Sequence, residues 1–121
     1  MKLEKFYWPA TLAWAAIIYY QSIVPVTVAQ KFGIQHNFFP FVEHFAAYAI
    51  LCLLFYLSLN YSKIKYSALH AFVLAVSYGV AMELIQGFFA YREPSITDAL
   101  VNAVGALVPT AFFEARKKKW I

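Results

Sequence analysis

The chain has 121 residues, 63% of them hydrophobic, 20% aromatic and only 13% charged. These values exclude an ordinary water-soluble domain, and the length holds one domain with no room for a separate soluble module, a long linker or a repeat array. The net charge of +4 sits mostly at the chain ends and in one loop. That distribution reports membrane topology and gives no support to a nucleic-acid partner.

Four apolar stretches approach the roughly 20 helical residues that a bilayer core requires. They cover about 6–28, with Pro25 ending or kinking the first, then 41–59, 66–89 and 96–113. A short polar hairpin at 60–65 joins the second to the third, and 90–94 joins the third to the fourth, so each pair is antiparallel. The expectation is an all-α, integral membrane four-helix bundle with residues 1–121 as a single domain. The apolar run near the amino terminus is longer than a signal-peptide core, and Tyr19-Tyr20-Gln21 is a poor cleavage site, so this segment is read as a retained span. Cys52 is the single cysteine, which rules out a disulfide within the chain.

Eight of the ten basic residues, Lys2, Lys5, Lys63, Lys65 and the run Arg116-Lys117-Lys118-Lys119, fall on one side of this arrangement. Lys31 and Arg92 fall on the other. The positive-inside rule then makes the N- and C-termini cytoplasmic in a multi-pass protein of the cell (cytoplasmic) membrane. The Arg116–Lys119 run reads as a stop-transfer anchor at anionic headgroups.

Against this greasy background the polar residues of one layer stand out. Glu43 and His44 open the second helix, Gln21 and Ser22 close the first, and Asp98 and Asn102 lie one and two turns into the fourth. Glu83 lies six residues before the end of the third, about 9 Å deep at ~1.5 Å per residue. All belong to the outer half, and the inner half reads as apolar. Ionisable groups at membrane depth are expensive and usually face one another or a wet cavity, so the default reading is a polar site inside the bundle. Gly79, Glu83 and Gly87 share one helical face; so do Asp98, Asn102 and Ala106, with Gly105 beside them, and so do His44 and Tyr48. The small-and-polar faces of the third and fourth helices are expected to pack together. Plainer roles stand beside the functional ones. Ser95-x-x-Asp98 fits an acidic capping box, Asn102 fits interhelical glue, Glu83 can pair with Arg92, and His44 can be an interfacial residue. His70, about 20 Å from Glu83 by helical rise, falls outside the site. Tyr19, Tyr20, Tyr91 and Trp120 read as interfacial aromatics, and the segment 26–39 as lying in the outer interface.

Taken together, Glu83-x-x-Gln86, Arg92-x-x-Ser95-x-x-Asp98-x-x-x-Asn102-x-x-Gly105 and the preceding His44-Phe45-x-x-Tyr48 resemble the VanZ-like family. These are small membrane proteins named after an accessory factor in teicoplanin (glycopeptide) resistance. The resemblance covers nearly the whole chain. It departs at Pro40-Phe41, where an Asp-Lys pair is usual, at Ala90-Tyr91, where Pro-Gly is usual, and around Val108-Pro109, where a further glycine is expected. It implies a part in glycopeptide resistance without supplying a mechanism.

Two classes of function fit. In the first, the site binds or modifies an envelope lipid, or a lipid-linked envelope precursor, at the outer leaflet. Arg92 would meet a phosphate or carboxylate with its planar fork, Glu83 and Asp98 would balance charge, and Gln86, Asn102, Ser95 and Tyr48 would complete the ligand-binding set. In the second, the chain is a small intramembrane enzyme acting on a lipid phosphate headgroup. Glu83 or Asp98 would then be general base or ligand of a divalent cation, His44 the proton shuttle and Arg92 the phosphate clamp. The sequence offers no nucleophile motif, no Asp-x-Asp pair and no three-ligand zinc spacing, so no metal site is assigned. An ion or proton conduit would need polar residues through the full thickness. The packing faces of so short a chain leave a dimer open.

Overall fold

A computed structural model of the chain describes residues 3–23, 40–89 and 96–119. A 3-10 turn, Leu3–Phe6, leads into α1 (Tyr7–Ile23), and α2 (Pro40–Tyr61), α3 (Ser67–Phe89) and α4 (Ile96–Lys119) follow. Among the described residues there is no strand. The apolar residues of α1, α2 and α3 follow no single stripe but cover every side, the pattern of a helix surrounded by protein and lipid. Val42–Tyr61, Ser67–Phe88 and Ile96–Arg116 are each long and apolar enough to cross a membrane, yet only 22–33% of those stretches is buried within the bundle. The remainder presents large apolar side chains outward, Leu84, Phe88, Leu100, Val104 and Phe112 among them. Water does not tolerate such a continuous coat; acyl chains do. α1 has 17 residues, about 26 Å of rise. Residues 24–28 of the expected first span, Pro25 included, lie outside the described residues, as does the segment 26–39.

α2 and α3 each touch every other helix, whereas α1 and α4 make no contact with each other among the described residues. The two outer helices therefore flank a central α2–α3 pair. Small side chains at the crossings, Cys52, Ala71, Ala75 and Ala106, are fully buried and let the backbones come close, the usual way for helices to associate where no hydrophobic force separates lipid from protein. Gly105 is the extreme case. A Cβ built there would collide with the Phe45 carbonyl oxygen of α2 and lie 3.0 Å from the Phe45 Cα.

The half of the bundle around the α2–α3 hairpin is not as featureless as the sequence suggests, and the expectation of an apolar inner half needs correction. Thr11 and Ser58, both fully buried, join hydroxyls at 2.7 Å. Since Thr11 has one proton and Tyr7 O and Leu54 O lie at 2.7 and 3.1 Å, Thr11 donates to a carbonyl and accepts from Ser58. Trp8 Nε1 donates to Ser62 Oγ at 2.9 Å at the same end, while nearer the middle of the bundle and toward its other end Tyr78 donates its hydroxyl to Ala15 O and Trp14 Nε1 donates to Ala47 O at 2.9 Å. Of these helix-to-helix links, three end on main-chain carbonyls.

The hairpin itself closes α2 with a paired backbone motif. Ile64 N–H reaches Leu59 O and Lys63 N–H reaches Asn60 O, each at 3.0 Å, and Lys63 takes φ 62°, the position glycine usually fills in this cap. A side chain there costs roughly 1 kcal/mol. Lys63→Gly is therefore expected to stabilise the detergent-solubilised protein by about 0.5–1 kcal/mol, read as a higher midpoint in a denaturant titration. An unchanged or lower midpoint would contradict this account of the turn.

Candidate functional site

The opposite end of the bundle gathers the C-terminal turns of α1 and α3 with the N-terminal turns of α2 and α4. Helical rise from the helix ends puts His44, Tyr48, Glu83, Gln86 and Asn102 about 4–12 Å in, a single layer. Glu83, Gln86, Asp98 and Asn102 are only 5%, 6%, 9% and 2% exposed, so four groups with strong hydration needs are inside the protein. His44, Tyr48, Glu83, Gln86 and Asn102 share the wall of one cavity of about 90 Å³, which Ile18, Gln21, Ser22, Glu43, Ala47 and Met82 also line. One water needs ~10–15 Å³ of such space, so the chamber admits several waters or a small polar group of a ligand.

His44 sits between two residues of α4. Its Nδ1 donates to Asn102 Oδ1 at 3.1 Å, because an amide oxygen can only accept. Its Nε2 faces Asp98 Oδ2 at 3.9 Å. With Nδ1 committed as a donor, Nε2 is the ring atom left to face Asp98. Asp98 thus reaches the cavity through His44, and is not itself part of the wall. Asp98 and Glu43 occupy the first turns of α4 and α2, where the exposed amide ends of a helix favour negative charge. Asn102 is held from its other side as well. Its Nδ2 would lie 3.3 Å from a Cβ at Gly79, as would Tyr48 Cε1, so the missing side chain of Gly79 is what lets α3 close on this pair.

The structure brings together six of the eight residues singled out from the sequence: His44, Tyr48, Glu83, Gln86, Asp98 and Asn102. Arg92 and Ser95 lie outside the described residues, and with them the Arg92 pairing and the Ser95 cap. The faces expected to meet, α3 with α4, do meet at Gly79 and Asn102, and Asp98, Asn102 and Ala106 are all buried. Gly105 differs. It serves the α2–α4 crossing, not the α3–α4 one, because the turn that aims Asn102 toward α3 and His44 aims Gly105 at the Phe45 backbone. Gly87 is exposed, so the small-residue face of α3 stops at Glu83. His70 bonds the Tyr66 carbonyl at 2.9 Å at the hairpin end, far from the chamber. Ile18 and Met82 were not singled out as part of the site. Ile18 shares a face with Ser22 four residues on, and Ser22 donates to its carbonyl at 2.8 Å, a spacing that identifies it in retrospect. Met82 carries no polar or periodic signal. Among the described residues no three His, Cys, Asp or Glu side chains gather in a way that could hold a metal ion.

Residues 6–116 match the family model described as VanZ/LLP1. Comparison with curated proteins gave no match, and comparison with solved structures gave none either. With three helices able to cross a bilayer and a match running from Phe6 to Arg116, this membrane protein belongs to the VanZ-like family.

Proposed function

We propose that the chamber binds the polar headgroup of an envelope lipid or lipid-linked envelope precursor, entering from the outer leaflet. The observation that carries this reading is the cavity wall itself, where an imidazole, a phenol, two carboxylates and three amides converge from four helices at membrane depth. Such groups are costly there unless they serve a partner. The mixture suits a ligand with several hydroxyl or amide groups, and Arg92, in the connection that follows α3, would add a planar fork for a phosphate or carboxylate. Both nitrogens of His44 face α4 partners, at 3.1 and 3.9 Å, an arrangement that suits fixed recognition better than a shuttle free to move protons on a substrate. In a cell with a glycopeptide-sensitive wall, capture of such a ligand would contribute to teicoplanin tolerance.

The orientation rests on the basic residues, eight of which lie at the hairpin end or in the termini that share it. A reporter fused after Ile121 should be active only as a cytoplasmic fusion; activity as an exported fusion would place the chamber on the wrong side and end the proposal. Binding is tested by native mass spectrometry of the full chain with polyprenyl-phosphate probes. Wild type should retain a probe, and Glu83→Gln should retain about tenfold less, a loss on the order of a single charge-assisted hydrogen bond. Equal retention by both proteins would remove Glu83 from the site. Release of inorganic phosphate from the same probes, with or without Mg²⁺, would overturn binding in favour of catalysis.

A further inference from the structure

The hairpin end of the bundle holds a second concavity, unconnected to the chamber and independent of its proposed role. It is an open groove of about 800 Å³, within the size range of small-molecule sites. Its floor is aromatic: Tyr56 of α2 and Phe113 of α4 stack with centroids 3.8 Å apart and planes at 13°. Its rim is cationic, with Lys65 from the hairpin and Arg116 from α4 on the lining. Arg116 is steadied over the Phe112 ring, 5.7 Å from its centroid. Ser67 and Ala68, the first two residues of the 23-residue helix α3, also face the groove, so the positive end of a long helix points into the same space as the two cations. Glu114 lines it too and leaves a net positive balance.

We propose that this groove is a phosphate site whose occupant is the headgroup of an anionic phospholipid, held by Lys65 and Arg116 above the Tyr56–Phe113 stack. Three sources of positive potential on an apolar floor match an amphiphile with a phosphodiester head and acyl chains that continue down the outside of α2 and α4. Basic pockets between transmembrane helices take such headgroups for the same reason. The chemistry shared with free phosphate is the anionic phosphate group itself. The apolar floor has a use only for the lipid.

The test uses the full-length protein in nanodiscs or detergent with phosphatidylglycerol and phosphatidylcholine as probes, read by native mass spectrometry of retained lipid. Wild type should retain phosphatidylglycerol in preference to phosphatidylcholine. The double variant Lys65→Gln with Arg116→Gln should lose roughly tenfold of that preference. A control with the same charge loss near the same membrane surface, Lys2→Gln with Lys5→Gln, should retain at least half. Displacement of phosphatidylglycerol by millimolar inorganic phosphate alone would identify free phosphate as the occupant and overturn the lipid assignment. Equal losses in the two double variants would show a diffuse basic surface and overturn the groove. Both double variants are expected to elute at the wild-type position, since Lys65 and Arg116 are exposed.

Discussion

Gly105→Ala is expected to destabilise the bundle by about 3 kcal/mol, at the top of the range for inserting a methyl into a packed interior. The added carbon would meet Phe45 O, C and Cα, all main-chain atoms, and a main chain inside a hydrogen-bonded helix cannot step aside as a side chain can. Relief requires α2 and α4 to move apart over several turns, which opens the seam holding His44 to Asn102. The measurement is a denaturant titration of detergent-solubilised protein followed by circular dichroism. Gly79→Ala is the internal comparison. Its new methyl would meet Asn102 Nδ2, Tyr48 Cε1 and Asn102 Cβ at 3.3–3.4 Å, tight contacts but with side chains and about 1 Å longer than the closest one at Gly105, so a smaller loss of about 1 kcal/mol is expected. Equal midpoints for Gly105→Ala and wild type would mean that the two backbones do not approach as described.

The second large effect is expected from Asn102→Ala, which should lower stability by about 2 kcal/mol and abolish probe retention. Asn102 is 2% exposed, donates no bulk to solvent, and supplies the acceptor for His44 Nδ1. Truncation leaves a half-buried N–H without a partner, a penalty of roughly 1–3 kcal/mol, and widens the chamber by an amide. Asn102→Asp returns an oxygen to the same place and is expected to recover most of the stability. If Asn102→Ala and Asn102→Asp unfold at the same denaturant concentration, the contact with His44 contributes nothing. Glu83→Gln separates the two roles, since it is expected to lose ligand while keeping the wild-type midpoint.

The residues that could be read in advance were those whose chemistry conflicts with a bilayer. Glu83, Asp98 and Asn102 announce themselves as costly, and the four-residue spacing from Asp98 through Asn102 to Ala106 fixes the face they share. The pairing of His44 with Asn102 was harder to foresee. α2 and α4 run parallel and are joined only through α3, so no short loop forces them together, and helices that are apolar all round carry no stripe to say which neighbour lies where. The same ambiguity hid the partner of Gly105. The buried hydroxyls of Thr11 and Ser58 escaped notice for a different reason: small hydroxyls satisfy themselves on a nearby carbonyl and so leave no mark in charge or hydropathy. Lys63 gave no warning of its left-handed backbone, because glycine or asparagine is the usual sign of that cap.

The three helix ties that end on main-chain oxygens, Trp14 to Ala47, Tyr78 to Ala15 and Thr11 to Leu54, divide the evolutionary burden unevenly. Any residue supplies a carbonyl, so positions 15, 47 and 54 can drift in identity within the limits of size while the tie persists. The donors at 11, 14 and 78 carry the whole constraint. Divergent relatives can therefore keep the spacing of α1 against α2 and α3 through a handful of aromatic and hydroxyl positions, with little else in common along those helices.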